Sequence, residues 1–223
     1  MKPEKIILSF DLDNTIINNR EGIVDSFNHA LHQFDLPLMN KDDIEKMIGI
    51  PLHQMFSEIS KTNVEELVVS FREYYIHNGI YQGYLIPGVK NKLQELHNAG
   101  FIMGVITSKK QEMAEKMVEI LKIRYFFDYI LGETDNRKEL GKLDPSLKLF
   151  FQTKYPNHRV IIIGDHPKDV MLSNNLECPF IGVLTGNHSA QELSDLKKGK
   201  YVIVNSVKEL DQNKIYRLLQ SIP

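Results

Sequence analysis

The sequence predicts an α/β protein: an open, mostly parallel sheet flanked by helices, with a helical insert after the first strand. Three observations carry that prediction. Short β-rich runs recur along the 223 residues, most of them continuously apolar, as strands buried on both faces read. Segments of helical length lie between them, several with recognisable caps. One long interval, between the first two runs, reads as helices only.

The first run, residues 5–10 (KIILSF), ends at Asp11 and Asp13, and the second, 101–107 (FIMGVIT), ends at Thr107 and Ser108. The interval between them far exceeds the single helix a βαβ crossover needs. Within it, EGIVDSFNHALHQF sets Ile23, Phe27, Ala30, Leu31 and Phe34 on one helix face. Asn40 and Asp43 look like a cap for DIEKMIG, Pro51 opens LHQMFSEI, and VEELVVSFREYYIHNG closes at Gly79. About four helices over residues 18–83 thus form a small second domain or lid, and residues 1–17 and 84–223 form the α/β core; a structureless loop of that length is disfavoured.

After the insert, a helix over 88–100 opens behind Pro87 and stops at Gly100, and another spans 109–121. A third run covers 127–132. Asp144 followed by Pro145 starts a helix through SLKLFFQTKY. Runs at 160–164, 180–186 and 201–205 complete the strands. Ser189 with Glu192, and Ser206 with Glu209, read as capping boxes opening two more helices.

Composition excludes several classes. Lys plus Arg (27) nearly balances Asp plus Glu (29), and no basic stripe with interleaved aromatics invites nucleic acid. With Cys178 alone there is no internal disulfide and no cysteine metal cluster. MKPEK leading into a short strand is not a signal peptide, and no apolar run reaches membrane-spanning length, so a soluble cytoplasmic protein with no membrane partner is expected.

Ligands of open α/β sheets sit outside the carboxyl ends of the strands. There this chain places Asp11 and Asp13, Thr107 and Ser108, Asp165 with Asp169 four residues on, and Lys142 in the loop after the 127–132 run. Such a cluster of carboxylates repels itself unless a cation sits among them, and an oxygen-only set suits Mg²⁺. Lys142 and the Thr107 hydroxyl then add a positive charge and a donor, a set suited to a phosphoryl group. An aspartate can itself be the nucleophile. Taken singly, each piece has a plainer reading: a solvated turn, a helix cap, a surface lysine. Their order and shared edge single them out.

DLDNT (11–15), VITSK (105–109), GKLDP (141–145) and GDHPKD (164–169), with the loop IGIPL (48–52) and the segment IPGVKNKLQELHNAG (86–100), resemble the haloacid dehalogenase superfamily along nearly the whole chain. They are most similar to its phosphoglycolate phosphatase-like branch with a helical C1-type cap. The resemblance implies a Rossmann-like core, a cap over residues 18–83, and Mg²⁺-dependent hydrolysis of a small phosphorylated metabolite. It implies that Asp11 attacks phosphorus and that Asp13 protonates the leaving alcohol and then takes a proton from water. It also implies that Asp11, Asp165 and the Asp13 main-chain carbonyl hold the metal, and that Asp169 either stands behind those ligands or holds Lys142. Thr107 and the Ser108 N–H would bind phosphoryl oxygens, and Thr15 would brace the loop. Asn14 replaces the family's usual glycine, which its tolerance of left-handed backbone allows. Asn18 and Asn19, near the cap hinge, and His166, read as a solvated loop histidine, also depart from the pattern. The IGIPL loop, His53 and Arg72 are candidate cap contacts, although Arg72 reads more readily as a surface position.

Within that superfamily, Asp13 argues against dehalogenases and phosphonatases. Leu52 and Ile23 stand where sugar-phosphate mutases carry arginine and histidine, which favours hydrolysis over mutase chemistry. A phosphate-binding regulator without turnover is the alternative from another class. Phosphoglycolate, sugar phosphates, nucleotides and pyrophosphate all remain open as substrates, as does the oligomeric state.

Overall fold

The structure is a computed structural model and describes residues 5–134 and 141–220. At its centre lies β1 (Ile6–Phe10), buried at every position. It pairs in parallel with β4 (Ile102–Lys110) on one side and β6 (Arg159–Gly164) on the other. Beyond these lie β5 (Tyr129–Glu133), β7 (Phe180–Val183) and β8 (Tyr201–Val204), giving a six-stranded sheet in the order β5-β4-β1-β6-β7-β8. Every pairing in it is parallel. The chain turns to opposite sides of β1, so the crevice at the carboxyl end of β1 is the place such a sheet offers a ligand.

Helices cover both faces. One is packed by α7 (Ser146–Lys154), α8 (Pro167–Asn175) and α9 (Ala190–Leu196), which bury Leu147, Phe151, Val170 and Leu193 against Ile7, Ile162 and Phe180. On the other, α5 (Val89–Asn98), α6 (Gln111–Ile120) and α10 (Gln212–Leu219) contribute Leu93, Met117 and Ile215 to a larger core. Apolar burial on both faces is why the strands read as unbroken apolar runs.

That larger core continues into the insert. Here lie α1 (Arg20–Gln33), α2 (Lys41–Met47), α3 (Leu52–Ser57) and α4 (Val64–His77). Asn40 caps α2, its side chain accepting from the Asp43 N–H at 3.0 Å. Phe27 of α1 stacks on Phe56 of α3 at 4.3 Å, and Phe56 meets Phe71 of α4 edge-on at 6.3 Å. Gly22 of α1 lets the chain approach the turn after α4: a β-carbon there would stand 2.0 Å from the Gly79 carbonyl oxygen. The insert leaves and rejoins the core through β2 (Ile17–Asn18) and β3 (Tyr84–Leu85), which pair antiparallel.

Two expectations need correction. The helix read over 109–121 begins only at Gln111, because β4 runs on through Lys110 beside Glu133. Ser206 and Glu209 open only a short 3₁₀ turn: Ser206 accepts from Lys208, but the Glu209 carboxylate is taken by Asn205, and the last helix is capped instead by Asp211. The β2–β3 ladder was not read from the sequence, since two residues per strand leave no periodicity. Among the described residues no helix is long and apolar enough to cross a membrane.

Candidate active site

The end of β1 is held firmly: the Asp11 N–H donates to the Ile163 carbonyl at 2.7 Å, so Asp11 is still in the sheet when its side chain reaches the crevice. The chain then turns tightly. Asn14 takes a left-handed φ of 59°, and its N–H donates to the Ile17 carbonyl at 2.8 Å. The turn aims the Thr15 hydroxyl at Asp165, to which it donates at 2.8 Å. That bond ties the turn after β1 to the end of β6.

Lys142 lies in a 3₁₀ turn, Gly141–Leu143, and is fully enclosed. Its ammonium stands 2.6 Å from Asp11 Oδ1 and 2.7 Å from Asp169 Oδ1. Asp169 uses its other oxygen to accept from the His166 N–H at 3.2 Å, as a capping-box residue of α8. Both oxygens of Asp169 are thus engaged within the protein, which suits a residue that holds Lys142. Thr107 and Ser108 face the same crevice from β4. Thr107 Oγ1 accepts from the Lys109 N–H at 3.2 Å, and neither residue caps a helix.

Electrostatics follow from burial. Burial drives the Asp11 carboxyl well above the usual carboxylate range; Lys142 pulls it down, and Asp169 and Asp165 push it further up. Asp165 is pushed up to about 7 by burial and by Asp169. Burial also works against the Lys142 ammonium, but Asp11 and Asp169 outweigh it and hold its pKa above that of an ordinary lysine. Three buried carboxylates facing one ammonium leave excess negative charge.

That excess tests whether a divalent cation fits. Asp11, Asp165 and Asp169 can each bring a carboxylate oxygen within 4.8 Å of the others. Asp165 Oδ1 takes the Thr15 hydroxyl, while Oδ2 lies against Gly186, where a β-carbon would stand 1.8 Å away. An all-oxygen donor set with room kept open by a glycine matches a hard cation such as Mg²⁺.

Asp13 is placed differently from Asp11. Its Oδ2 lies 3.3 Å from the Lys109 ammonium, while its Oδ1 is buried without a hydrogen-bond partner. The Lys109 ammonium also sits 3.2 Å from the Tyr75 hydroxyl, to which the Asn19 side-chain amide donates at 3.1 Å. Lys109 and Tyr75 were missed as site residues, and Asn19 was read only as a hinge position. Lys109 was in view, adjoining Thr107 and Ser108. Tyr75 continues the apolar stripe of Leu67 and Phe71 and reads as core.

The insert closes the crevice into a cavity of about 80 Å³, bounded below by Asp11, Asp13, Thr107 and Lys142. Ile48, Gly49, Ile50 and Leu52 line it, so the IGIPL loop reaches the site. The Ser108 hydroxyl donates to the Gly49 carbonyl at 3.3 Å. Arg72, read as a surface position, also lines the cavity and meets Glu133 at 3.1 Å. His53 does not line it; its ring turns out to Glu65 at 3.1 Å. His166 is not solvated: Gly49 packs over its ring, and its Nδ1 accepts from the Lys168 N–H at 3.1 Å. Burial, then the charges of Lys142, His188 and Lys168, lower it to about 3, so it is a neutral cap.

Known proteins resemble this chain in sequence and fold. The sequence profile of the haloacid dehalogenase-like hydrolases matches residues 7–183. Pyrophosphatase PpaX of Bacillus thuringiensis (strain Al Hakam) is 30% identical over 168 residues, covering 74% of this chain and 77% of that protein. The crystal structure of a predicted phosphatase from Clostridium acetobutylicum superposes with a TM-score of 0.83 at 27% identity, covering 96% of this chain and 99% of that one. A haloacid dehalogenase-like family hydrolase from Streptococcus pneumoniae has a TM-score of 0.82 at 24% identity, covering 99% and 100%, and shares the fold.

Proposed function

The chain belongs to the haloacid dehalogenase-like hydrolase family, and from that premise we propose that it is a Mg²⁺-dependent phosphatase acting on a small phosphorylated metabolite through an aspartyl-phosphate. One observation supports this above the others: Lys142, buried, bridges Asp11 and Asp169. A lysine placed there fixes the orientation of Asp11 and opposes the burial that favours its protonated form, as an attacking carboxylate requires.

In this reading Asp11 attacks phosphorus, the bond to the ester oxygen breaks, and Asp13 gives its proton to the departing oxygen. Its unpartnered Oδ1 is the atom free to do so. Water then attacks the phosphorus of the aspartyl-phosphate while Asp13 takes its proton. Inorganic phosphate departs and Asp11 is restored. Thr107 and the Ser108 N–H receive phosphoryl oxygens, and Lys142 offsets charge on the transferred group. Asp11, Asp165 and the Asp13 main-chain carbonyl would hold Mg²⁺, which when bound neutralises charge on the phosphoryl oxygens. Residues 18–83 act as the cap that shuts the site from bulk water.

The test is phosphate release from a panel that includes phosphoglycolate, sugar phosphates, nucleotides and pyrophosphate, with Mg²⁺ and with a chelator. Turnover should need the metal and vanish in Asp11→Asn, with the fold retained by circular dichroism. A folded Asp11→Asn protein working at near-normal rate would overturn the assignment.

A further inference from the structure

His166 carries more side chain than its capping duty needs. As the N-cap of α8, its Nδ1 accepts from the Lys168 N–H at 3.1 Å, and its own N–H donates to Asp169 Oδ2 at 3.2 Å. An N-cap needs one acceptor on a short side chain, which asparagine, aspartate or serine supplies. The ring is surplus to that role, and it is buried. His188, from the loop after β7, meets it edge-on at 4.8 Å. Gly49 of the insert closes on it: a β-carbon there would stand 2.6 Å from His166 Cδ2 and 3.2 Å from Nε2. Gly49 also has a φ of 111°, so both its backbone and this close approach call for glycine.

A second contact pins the same residue. The Gly49 carbonyl accepts from the Ser108 hydroxyl at 3.3 Å. Ser108 lies on β4 and His166 follows β6, the two strands that flank β1. The 48–52 loop therefore meets core residues from both neighbours of the strand that ends in Asp11, and it lines the cavity there through Ile48, Gly49, Ile50 and Leu52. Two residues beyond His166, Lys168 Nζ donates to the Gln54 side-chain oxygen at 3.3 Å, so the start of α8 touches the insert twice. His166 does not itself line the cavity.

We propose that the His166 ring is the seat on which the 48–52 loop lands, a stop that fixes how deeply the loop reaches over the phosphoryl site and so which leaving groups fit beneath it. His166 is then a positioning residue, acting on the substrate through Gly49 and not by contact. The inference rests on the phosphatase reading above and names a determinant of its selectivity. Without the ring the loop would sink or loosen, because packed interiors do not hold gaps.

His166→Asn separates the two duties, since asparagine caps a helix but has no ring. Hydrogen exchange read by mass spectrometry, with Mg²⁺ present, follows the loop directly, because the Ile48, Ile50 and Gln54 N–H groups are all hydrogen-bonded. Protection over 48–54 should fall at least about four-fold, the worth of one buried methylene, while 168–175 keeps its protection. Loss in both segments, or in neither, would overturn the proposal. Gly49→Ala tests the contact from the other side and should also lower protection over 48–54. In the double variant the two effects should fall short of their product: the backbone strain of alanine is the same with and without the ring and cancels in the cycle. Effects that simply multiply would overturn the contact.

Turnover then tests selectivity. The ratio of kcat/KM for the best ester of the panel to that for p-nitrophenyl phosphate should fall by a similar factor in His166→Asn. A purely structural loss would lower both alike and leave the ratio unchanged, which would overturn the role in selection. Lost protection in His166→Asn with no ester hydrolysed by the natural protein would keep the seat and refute the phosphatase reading. Turnover with protection unchanged would do the reverse.

Discussion

Lys109 lies beneath Tyr75: its ammonium stands 4.7 Å from the ring centre and 3.2 Å from the hydroxyl. The contact joins β4 of the sheet to α4 of the insert. Because the same ammonium is 3.3 Å from Asp13, the position of the insert and the orientation of the proposed acid share one charged group. Burial works against that charge, but Asp13 and Tyr75 hold the Lys109 pKa above its usual value.

Tyr75→Phe keeps the ring over the ammonium but removes the hydroxyl that Asn19 and Lys109 share. Two hydrogen bonds at about 1 kcal/mol each predict a loss of up to roughly thirty-fold in kcat/KM, borne mainly by poor leaving groups. Steady-state kinetics with alkyl phosphates and with p-nitrophenyl phosphate measure it. Equal loss for both would reduce Tyr75 to a packing residue.

Asp13→Asn should slow the first half-reaction on alkyl phosphates by about 10² to 10⁴, the usual worth of general acid–base catalysis. The activated p-nitrophenolate leaves with little help and should be affected less. Single-turnover rates read the step directly, and identical damage to both substrates would remove Asp13 from the acid role.

Mg²⁺ should raise the unfolding temperature of the metal-free protein, because it relieves repulsion among buried carboxylates and binds only the folded form. In Asp165→Ala the shift should disappear. Asp169→Ala should keep part of it, since the oxygens of Asp169 serve Lys142 and the His166 N–H. A full shift in Asp165→Ala, read by scanning calorimetry, would exclude Asp165 as a ligand.

Gly22→Ala tests the insert. The added methyl would press on the Gly79 carbonyl at 2.0 Å, backbone that cannot swing aside, so α1 must move. Overpacking of this kind costs about 1–3 kcal/mol, measurable by urea unfolding. An unchanged midpoint would show that α1 shifts freely.

What the sequence disclosed and what it withheld have separate causes. Strands buried on both faces announced themselves as apolar runs, and each delivers its terminal polar residues to one edge, so Asp11, Thr107 and Asp165 could be gathered before any coordinates were known. Lys142 could be added because its loop follows a strand of the same sheet. Tyr75 could not: α4 periodicity says that position 75 is buried but not that its hydroxyl meets a lysine of β4. His166 misled for a related reason. A loop histidine reads as solvated, and only the packing of Gly49 from a distant part of the chain encloses it. Ser206 and Glu209 satisfied a capping pattern whose acid found Asn205 instead. Contacts between insert and sheet depend on how two packed bodies meet, and no local pattern encodes that.

The two-residue ladder of Ile17 with Leu85 and Asn18 with Tyr84 has a mechanical consequence. The chain leaves and re-enters the sheet region along neighbouring leads, so in the proposed cap both covalent leads run through one narrow ribbon. A body hung in this way swings about the ribbon far more easily than it slides, because sliding would break both pairs at once. If the proposed cap turns on it, Arg72, Tyr75 and the Gly49 carbonyl would approach or leave Glu133, Lys109 and Ser108 together, as points on one turning arm. A clamp of the ribbon, such as a disulfide engineered across it, should freeze all three contacts in one step.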